Sequence, residues 1–379
     1  MKKVKISLVG SGFAAALHME AYKRVYGIEP EIVSLTSTSA DADQFAEKYG
    51  IPKVYHSLEE LFEAEIPEAI DICTPPSAHF EQVCKALKAG CHVICEKPLS
   101  GWFEAGDSEM LAKVTAQMDE LRGILAKSRG TLFYAENFVY APAVQKSAEL
   151  IRRTGDKILF LKGEESHSGS HAAHAALWSK NGGGSLIRQG CHPLTALLYL
   201  KQAEGTGAKA VSVVADMGYL LSPLTESEKR YMSARPKDVE DLANVMITFS
   251  DGTKAHVMAG DMILGGVRNE IEVYTTGGVH QCNIAPSSQM QVYHVDDEKL
   301  ASVYFTEKVE TKKGWQSIFL DEDTARGYVG ELRDFLLCAA GEKDAPECGF
   351  DLAYETIRII YAAYTSAQKG CRIDLYSRG

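Results

Sequence analysis

The sequence holds no C-x-x-C pair, no block of basic residues, no internal repeat, no low-complexity segment and no apolar run near the roughly 18 residues of a membrane span. Each absence removes a class of protein. The cysteines stand at 73, 84, 91, 95, 191, 282, 338, 348 and 371, an odd number in a long chain. They read as reduced, mostly buried thiols, so neither a disulfide framework nor a structural zinc site is expected, and the compartment is expected to be the cytoplasm. Lys and Arg number 40 against 51 Asp and Glu, a net charge of −11. Such a chain is not built for nucleic-acid binding that rests on neutralising phosphates, nor for docking on an anionic membrane. What remains is an ordinary globular composition, 45% hydrophobic and 24% charged. At about 150 residues per domain, 379 residues make two domains or three.

The N-terminal run Met1–Leu17 has two readings. Its lysines, apolar residues and small residues imitate a secretion signal, but Gly10 and Gly12 weaken such a helix. The same run reads better as a strand, a glycine turn and a helix start. Strand and helix signals then alternate through the first ~140 residues, as in a doubly wound parallel sheet. Strands are expected at Val4–Val9, Glu31–Leu35, Ala69–Cys73, His92–Cys95 and Thr131–Ala135. Helices are expected at Ala14–Val25, Asp41–Tyr49, Ala78–Ala89 and Phe103–Ser128, with Gly50, Gly90 and Gly130 as stops. From about 157 to 305 the pattern changes to alternating β-branched runs, expected to form an antiparallel meander: Lys157–Gly163, Val211–Tyr219, Val245–Phe249, Thr253–Ala259, Glu270–Thr275, Gln291–Val295 and Ala301–Phe305. One helix, Leu186–Leu200, interrupts them, and two more, Tyr328–Cys338 and Leu352–Lys369, close the chain. The fold expected is α/β followed by α+β. A dinucleotide-binding domain spans 1–137. A second domain, with a large, mostly antiparallel open sheet, spans 138–379, its helix 352–369 able to pack back on the first.

Gly10-Ser11-Gly12-Phe13-Ala14-Ala15 sits where the first strand turns into the first helix and fits G-x-G-x-x-G/A. Gly10 permits the tight turn, Gly12 lets the backbone approach a pyrophosphate, and Ala15 lets helix and strand pack closely. The anion would rest on the helix N-terminus. At the end of the second strand, where an acid favours NAD and an arginine NADP, the chain has Thr36-Ser37-Thr38-Ser39, so both cofactors stay open.

Glu96-Lys97-Pro98 follows the fourth strand directly. Ligands of doubly wound sheets bind at the carboxyl ends of the strands, which places Lys97 near a cofactor, although a lysine alone at that edge reads as solvated. Three other segments accompany it: Gly10-x-Gly12-x-x-Ala15-x-x-His18, Thr74-Pro75 with His79, and Gly182-Gly183-Gly184-Ser185-Leu186 leading to Gly190-Cys191-His192. With these, nearly the whole chain resembles the glucose–fructose oxidoreductase / inositol dehydrogenase / rhizopine-catabolism (Gfo/Idh/MocA) family. The resemblance implies a Rossmann domain, an open-sheet domain and NAD(P)-dependent oxidation or reduction of a sugar, cyclitol or related polyol. It also implies a homodimer or homotetramer built on the sheet. By position it implies cofactor contacts at Gly10, Gly12, Phe13, Ala14, Ala15, Thr36, Ser37, Thr74, Pro75, His79, Glu96 and Lys97. Lys97 and His192 would be catalytic and would touch substrate. That pairing is chemically apt: removing hydride from a carbinol carbon requires loss of the hydroxyl proton, which a neutral imidazole accepts while an ammonium steadies the alkoxide.

The pattern breaks at Arg188, where the family's dehydrogenases usually carry an aspartate four residues before the histidine. Residues four apart share a helical face. Arg188 is therefore expected either to bind a substrate anion or to pair with an acid such as Glu165 or Asp261. The run Ser166–His174 contains His167, His171 and His174. His167 and His171 are expected to contact substrate, with Trp178 as a stacking wall, and no metal is assigned. Glu136-Asn137 reads as a helix cap or a nicotinamide contact, Glu240-Asp241 as a turn, and Trp315, Tyr354, Tyr361 and Tyr364 as core or interface. Two other functions share the cofactor: a glycosidase that oxidises a sugar carbon transiently, and a dinucleotide sensor without catalysis.

Overall fold

The computed structural model describes residues 1–285, 290–295, 298, 305, 309, 311–318 and 321–376. The chain forms two compact units: one of Met1–Trp102, Glu109–Tyr140 and Gly327–Arg358, the other of Phe103–Ser108, Ala141–Arg326 and Ile359–Gly379.

The first unit contains strands β1 (Lys3–Val9), β2 (Glu29–Thr36), β3 (Val54–Tyr55), β4 (Ala69–Ile72), β5 (His92–Glu96) and β6 (Leu132–Ala135). They lie in the order β3-β2-β1-β4-β5-β6, and every neighbouring pair is parallel. This is the doubly wound order, and it reverses between β1 and β4, where ligands of such sheets bind. Ile6, Leu8, Ile70, Ile72 and Val93 are fully buried, as the near-continuous apolar runs of a parallel sheet require. The expected helix Phe103–Ser128 is shorter in the structure, Met110–Leu125. Gly106, at φ +73°, stops helical backbone on its N-terminal side.

The sequence reading missed β3 and the helix Leu58–Ala64. Both are too short for periodicity to reveal, but a capping box marks the helix. Ser57 Oγ accepts from Glu60 N at 3.1 Å, and Glu60 Oε2 accepts from His56 N at 2.8 Å. Residues 327–358, grouped with the second domain by sequence, cluster with the first unit. Phe335 of the helix Tyr328–Ala339 stacks on Phe133 at 5.1 Å and meets Tyr140 edge-on at 5.5 Å, and the Tyr140 hydroxyl donates to Asp334 at 2.9 Å.

The second unit has β7 (Ile158–Ser166), β8 (Ala210–Gly218), β9 (Leu242–Phe249), β10 (Lys254–Gly260), β11 (Arg268–Thr275), β12 (Val279–Asn283) and β15 (Ile373–Asp374), in the order β12-β11-β7-β10-β9-β8-β15. A separate two-stranded antiparallel sheet pairs β13 (Met290–His294) with β14 (Gly314–Ile318). The large sheet is antiparallel except between β7 and β10. Of the expected strand Ala301–Phe305, residues 301–304 lie outside the described residues, and Phe305 is buried outside any strand.

One face of this sheet is covered. On β9, Ala243, Val245, Ile247 and Phe249 are buried, while Met246 between them is 40% exposed. The helix Cys191–Ala203 lies against the covered face at a glycine: a Cβ on Gly163 would stand 2.7 Å from Pro193 Cβ. At that helix's far end the fully buried Lys201 ammonium is shared by Glu204, Asp251 at 2.7 Å and the Thr253 hydroxyl at 3.0 Å. A buried cation is tolerated only when its donors are met in this way.

Candidate functional site

In the first unit the glycine loop is shaped by close packing on one side and open space on the other. Gly10 has φ +100°, and a Cβ there would stand 2.8 Å from the Cys73 carbonyl oxygen, so only glycine fits. At Gly12 a Cβ would meet nothing within 4 Å. That clear space lies at the start of the helix Phe13–Tyr22, whose N-cap has no side-chain bond, leaving backbone N–H groups for an anion. Ala15 is fully buried and Phe13 is 70% exposed. Ser37 Oγ lies 2.9 Å from Ser11 Oγ, tying the end of β2 to the loop. Thr36 Oγ1 beside it is buried without a hydrogen-bond partner among the described residues. An open cradle, free N–H groups and an orphaned hydroxyl fit a dinucleotide.

The ends of β4 and β5 carry a buried polar chain behind Lys97. His18 Nδ1 lies 2.8 Å from Asp71 Oδ2, and His18 Nε2 lies 3.2 Å from Glu96 Oε1. The Tyr22 hydroxyl donates to Asp71 at 2.8 Å, the Cys73 thiol donates to the same carboxylate at 3.5 Å, and Glu96 Oε2 accepts from Lys97 N at 3.0 Å. An imidazole between two carboxylates satisfies both only as a cation. Burial opposes that charge, but Asp71 overcomes it and holds His18 well above its ordinary value. His79, also buried, faces the Pro98 carbonyl with Nδ1 and the Thr74 carbonyl with Nε2, both at 2.7 Å, joining the turn after β4 to the turn after β5. Thr74 Oγ1 donates to Gln82 at 2.6 Å, and Pro75 caps the helix Pro76–Ala89. Glu96 is buried and Lys97 half-buried. The structure thus gathers Gly10, Gly12, Thr36, Ser37, Thr74, His79, Glu96 and Lys97 at the carboxyl edge of one sheet.

In the second unit the triple glycine is a close approach of chain to chain. A Cβ on Gly183 would stand 2.1 Å from the Tyr364 hydroxyl, and one on Gly184 would stand 2.0 Å from the Glu240 carbonyl oxygen. Glu240 is fully buried. Its carboxylate accepts from Gly184 N at 2.8 Å, Leu186 N at 2.9 Å and the Tyr364 hydroxyl at 2.9 Å. Tyr361 donates to the Gly182 carbonyl at 2.8 Å. Sequence reasoning placed the tyrosines in the core or at an interface, and both are buried, but it did not foresee their bonds to this segment and it read Glu240 as a turn. The signal that could have found them is the glycine run itself, which implies something pressed against it.

Gly182–Gly184 leads into a π-helical turn, Leu186–Gly190, and then into the helix that carries the buried His192. The wider turn breaks the 3.6-residue period on which the expectation for Arg188 rests. Of the two roles open to Arg188, the structure displays the ion pair: its guanidinium donates to the buried Asp261, which also accepts from Gln189 Nε2. His167 is half-buried, and its Nδ1 accepts from Gly169 N at 2.8 Å. His171 is exposed, with Nε2 3.2 Å from Ser233 Oγ. Trp178 is buried, its ring 4.9 Å from that of Tyr364.

Comparison with known proteins agrees with this geometry. Residues 4–121 match the oxidoreductase family with an NAD-binding Rossmann fold, and residues 157–281 match the GFO/IDH/MocA C-terminal domain. An uncharacterised oxidoreductase of Synechocystis is 24% identical over 281 residues, 72% of this chain and 70% of that protein. D-glucoside 3-dehydrogenase of Escherichia coli is 33% identical over 96 residues, so the match spans 25% of this chain and only 27% of that enzyme's length. The crystal structure of GenD2 from gentamicin A biosynthesis, in complex with NAD, superimposes with a TM-score of 0.82 at 20% identity, covering 100% of this chain and 97% of that one.

Glu240 makes stability depend on pH. Burial pushes its carboxyl up to about 7, against the four donors of Leu186, Tyr364, its own backbone and Gly184. Asp241 and Asp238 lie on the same segment, and Tyr364 stays protonated because burial holds its phenol well above its usual range. Because the folded value is raised, this contribution is present in full below the ordinary carboxylate range and is lost as pH rises through about 7. The melting temperature should fall as pH rises from about 4.5 to about 7, and Glu240→Gln should flatten that fall. Parallel curves for the two proteins would contradict the assignment.

Proposed function

Because the chain belongs to the GFO/IDH/MocA oxidoreductase family, we propose that it transfers hydride between a nicotinamide dinucleotide and a carbinol carbon of a sugar, cyclitol or related polyol. The observation that carries this reading is the Glu96-Lys97-Pro98 turn at the carboxyl edge of β5, backed by the His18–Asp71–Glu96 chain. The sugar-like substrate is supported by the resemblance to a D-glucoside 3-dehydrogenase.

The bound nicotinamide supplies or accepts the hydride. Gly10, Gly12 and the N-terminus of the helix Phe13–Tyr22 would hold the pyrophosphate, and Ser37 and Thr36 would meet the adenosine ribose. In the oxidative direction His192 would take the hydroxyl proton, the Lys97 ammonium would steady the oxygen as it becomes negative, and the carbinol carbon would then give up its hydride to the nicotinamide as the oxygen becomes a carbonyl. His18, held as a cation between Asp71 and Glu96, keeps Glu96 aimed at the Lys97 backbone. His167 and His171 are assigned to substrate hydroxyls. Trp178, packed on Tyr364, and Arg188, paired with Asp261, are assigned to shaping substrate specificity.

We assign the enzyme to the cytoplasm, supported by nine cysteines that form no disulfide. We also assign it as a homo-oligomer through the open face of the sheet, where Val214 pairs with Met246 across β8 and β9 with both side chains about 40% exposed (41% and 40%). Sedimentation at micromolar concentration should give a dimer or tetramer, and a monomer would overturn that assignment.

Replacing the reacting groups tests the chemistry. Lys97→Ala and His192→Ala should each lower kcat by about 10²–10⁴-fold on the best polyol found in a sugar and cyclitol panel, with dinucleotide affinity largely kept. Near-normal kcat in either variant removes that residue from the proton path.

A further inference from the structure

Two buried carboxylates from distant parts of the sequence grip the turn that leads into His192. Glu240 stands just before β9, and its oxygens accept from Gly184 N and Leu186 N, while its carbonyl accepts from Ser185 N at 3.0 Å. Asp261 stands just after β10, is 1% exposed, and takes the side chains of Arg188 and Gln189. Among the described residues no cation pairs with Glu240. The segments that carry the two acids are tied, since Asp261 N donates at 2.8 Å to the carbonyl of Asp241, the residue after Glu240.

The turn they grip is unusual in itself. A π-turn has poorer intrinsic stability than an α-turn and is kept where something outside it holds it open. Here glycines bound it: Gly184 admits Glu240, and a Cβ on Gly190 would stand 2.9 Å from Leu186 Cδ1 and 3.2 Å from Ala259 Cβ. Gln189 Oε1 is buried without a hydrogen-bond partner among the described residues, so the satisfied end of this amide is the one turned to Asp261. A chain that leaves a buried acceptor unmet, and buries a carboxylate with no counter-ion, pays heavily for one local geometry. The residue two places beyond the turn is His192. Relaxation of the turn to α-helical register would change the phase of the helix Cys191–Ala203 by one residue, about 100° of rotation.

We propose that Glu240 and Asp261 are positioning residues for His192: they hold 184–190 in its wide turn and thereby set the direction in which the helix Cys191–Ala203 presents the imidazole. Neither touches the reacting atoms. The proposal deepens the assignment of His192 as proton acceptor and rests on it for its catalytic consequence, but not for its structural one.

The test uses full-length enzyme labelled with ¹⁵N-histidine, with the His192 resonances identified by their absence in His192→Gln. Glu240→Gln keeps the size of the side chain but turns an NH₂ group toward one of the two backbone donors. It should move the His192 resonances and titration midpoint while leaving those of His56 and His280 in place. It should also lower kcat by about 10–100-fold per folded enzyme, the scale of a small misplacement of a catalytic group, with KM for the dinucleotide unchanged. Tyr364→Phe removes one donor and keeps both backbone bonds, so it disturbs the fold less than Glu240→Gln and keeps the test open should that variant fail to fold. It should give the same pattern at about 3–10-fold. Asp261→Asn should move His192 in the same way. Unmoved His192 resonances, with kcat per folded enzyme within twofold of the parent, overturn the proposal. If His192→Gln itself retains kcat, the proton-acceptor assignment has failed, and the shift of the His192 resonances still decides whether the two carboxylates position it.

Discussion

Asp71, Glu240 and Asp261 are carboxylates almost without access to water, and each has drawn a specific set of donors around itself. A charge in that position destabilises the fold unless it is paired and hydrogen-bonded, and one missing bond to a charged group costs about 1.5–3 kcal/mol. The backbone around each acid is therefore fixed closely. Asp71 collects Tyr22, Cys73 and the His18 cation, and through His18 it fixes Glu96 and the start of the Lys97 turn. Glu240 collects two backbone N–H groups and Tyr364, and Asp261 collects Arg188 and Gln189. In each unit such a buried acid is bonded, directly or through one intermediate, to the segment that leads into a group assigned to chemistry. Rigidity of that kind is what an acid–base site needs, because proton transfer depends on placement within fractions of an ångström.

Much of the first unit was legible in the sequence because its signals are local. A short apolar run, Gly10 and Gly12, and an Ala15 small enough to be buried announce strand, turn and helix within a dozen residues. Gly50 and Gly90 do take the left-handed C-cap conformation that their position after a helix implied. Local signals fail where structure depends on distant partners. Arg188 and Asp261 are 73 residues apart, and Gly184 and Glu240 are 56 apart, so nothing nearby in sequence distinguishes a structural arginine from a ligand-binding one, or a clamping glutamate from a turn. The parallel pairing of β7 with β10 was hidden for the same reason: both strands alternate like their antiparallel neighbours, and the partner is chosen by topology. The π-turn could not be read at all, since it differs from an α-turn by a single residue in hydrogen-bond register.

The end of β2 shows how a short segment leaves a cofactor choice open. Thr36 and Ser37 are buried, Thr38 and Ser39 are exposed, and no acid stands there to repel a 2′-phosphate. Hydroxyls accept from a ribose hydroxyl and also donate to a phosphate, so this segment by itself singles out neither dinucleotide.

The central claim is direct hydride transfer between a polyol carbon and the nicotinamide, and isotope transfer tests it most directly. A polyol substrate deuterated at its carbinol carbons is incubated with the enzyme and oxidised dinucleotide in ordinary water, and the reduced dinucleotide is weighed by mass spectrometry. One deuterium per reduced nicotinamide is the result this account predicts. Reduced dinucleotide without deuterium, or turnover of the polyol with no reduced dinucleotide released, would contradict it.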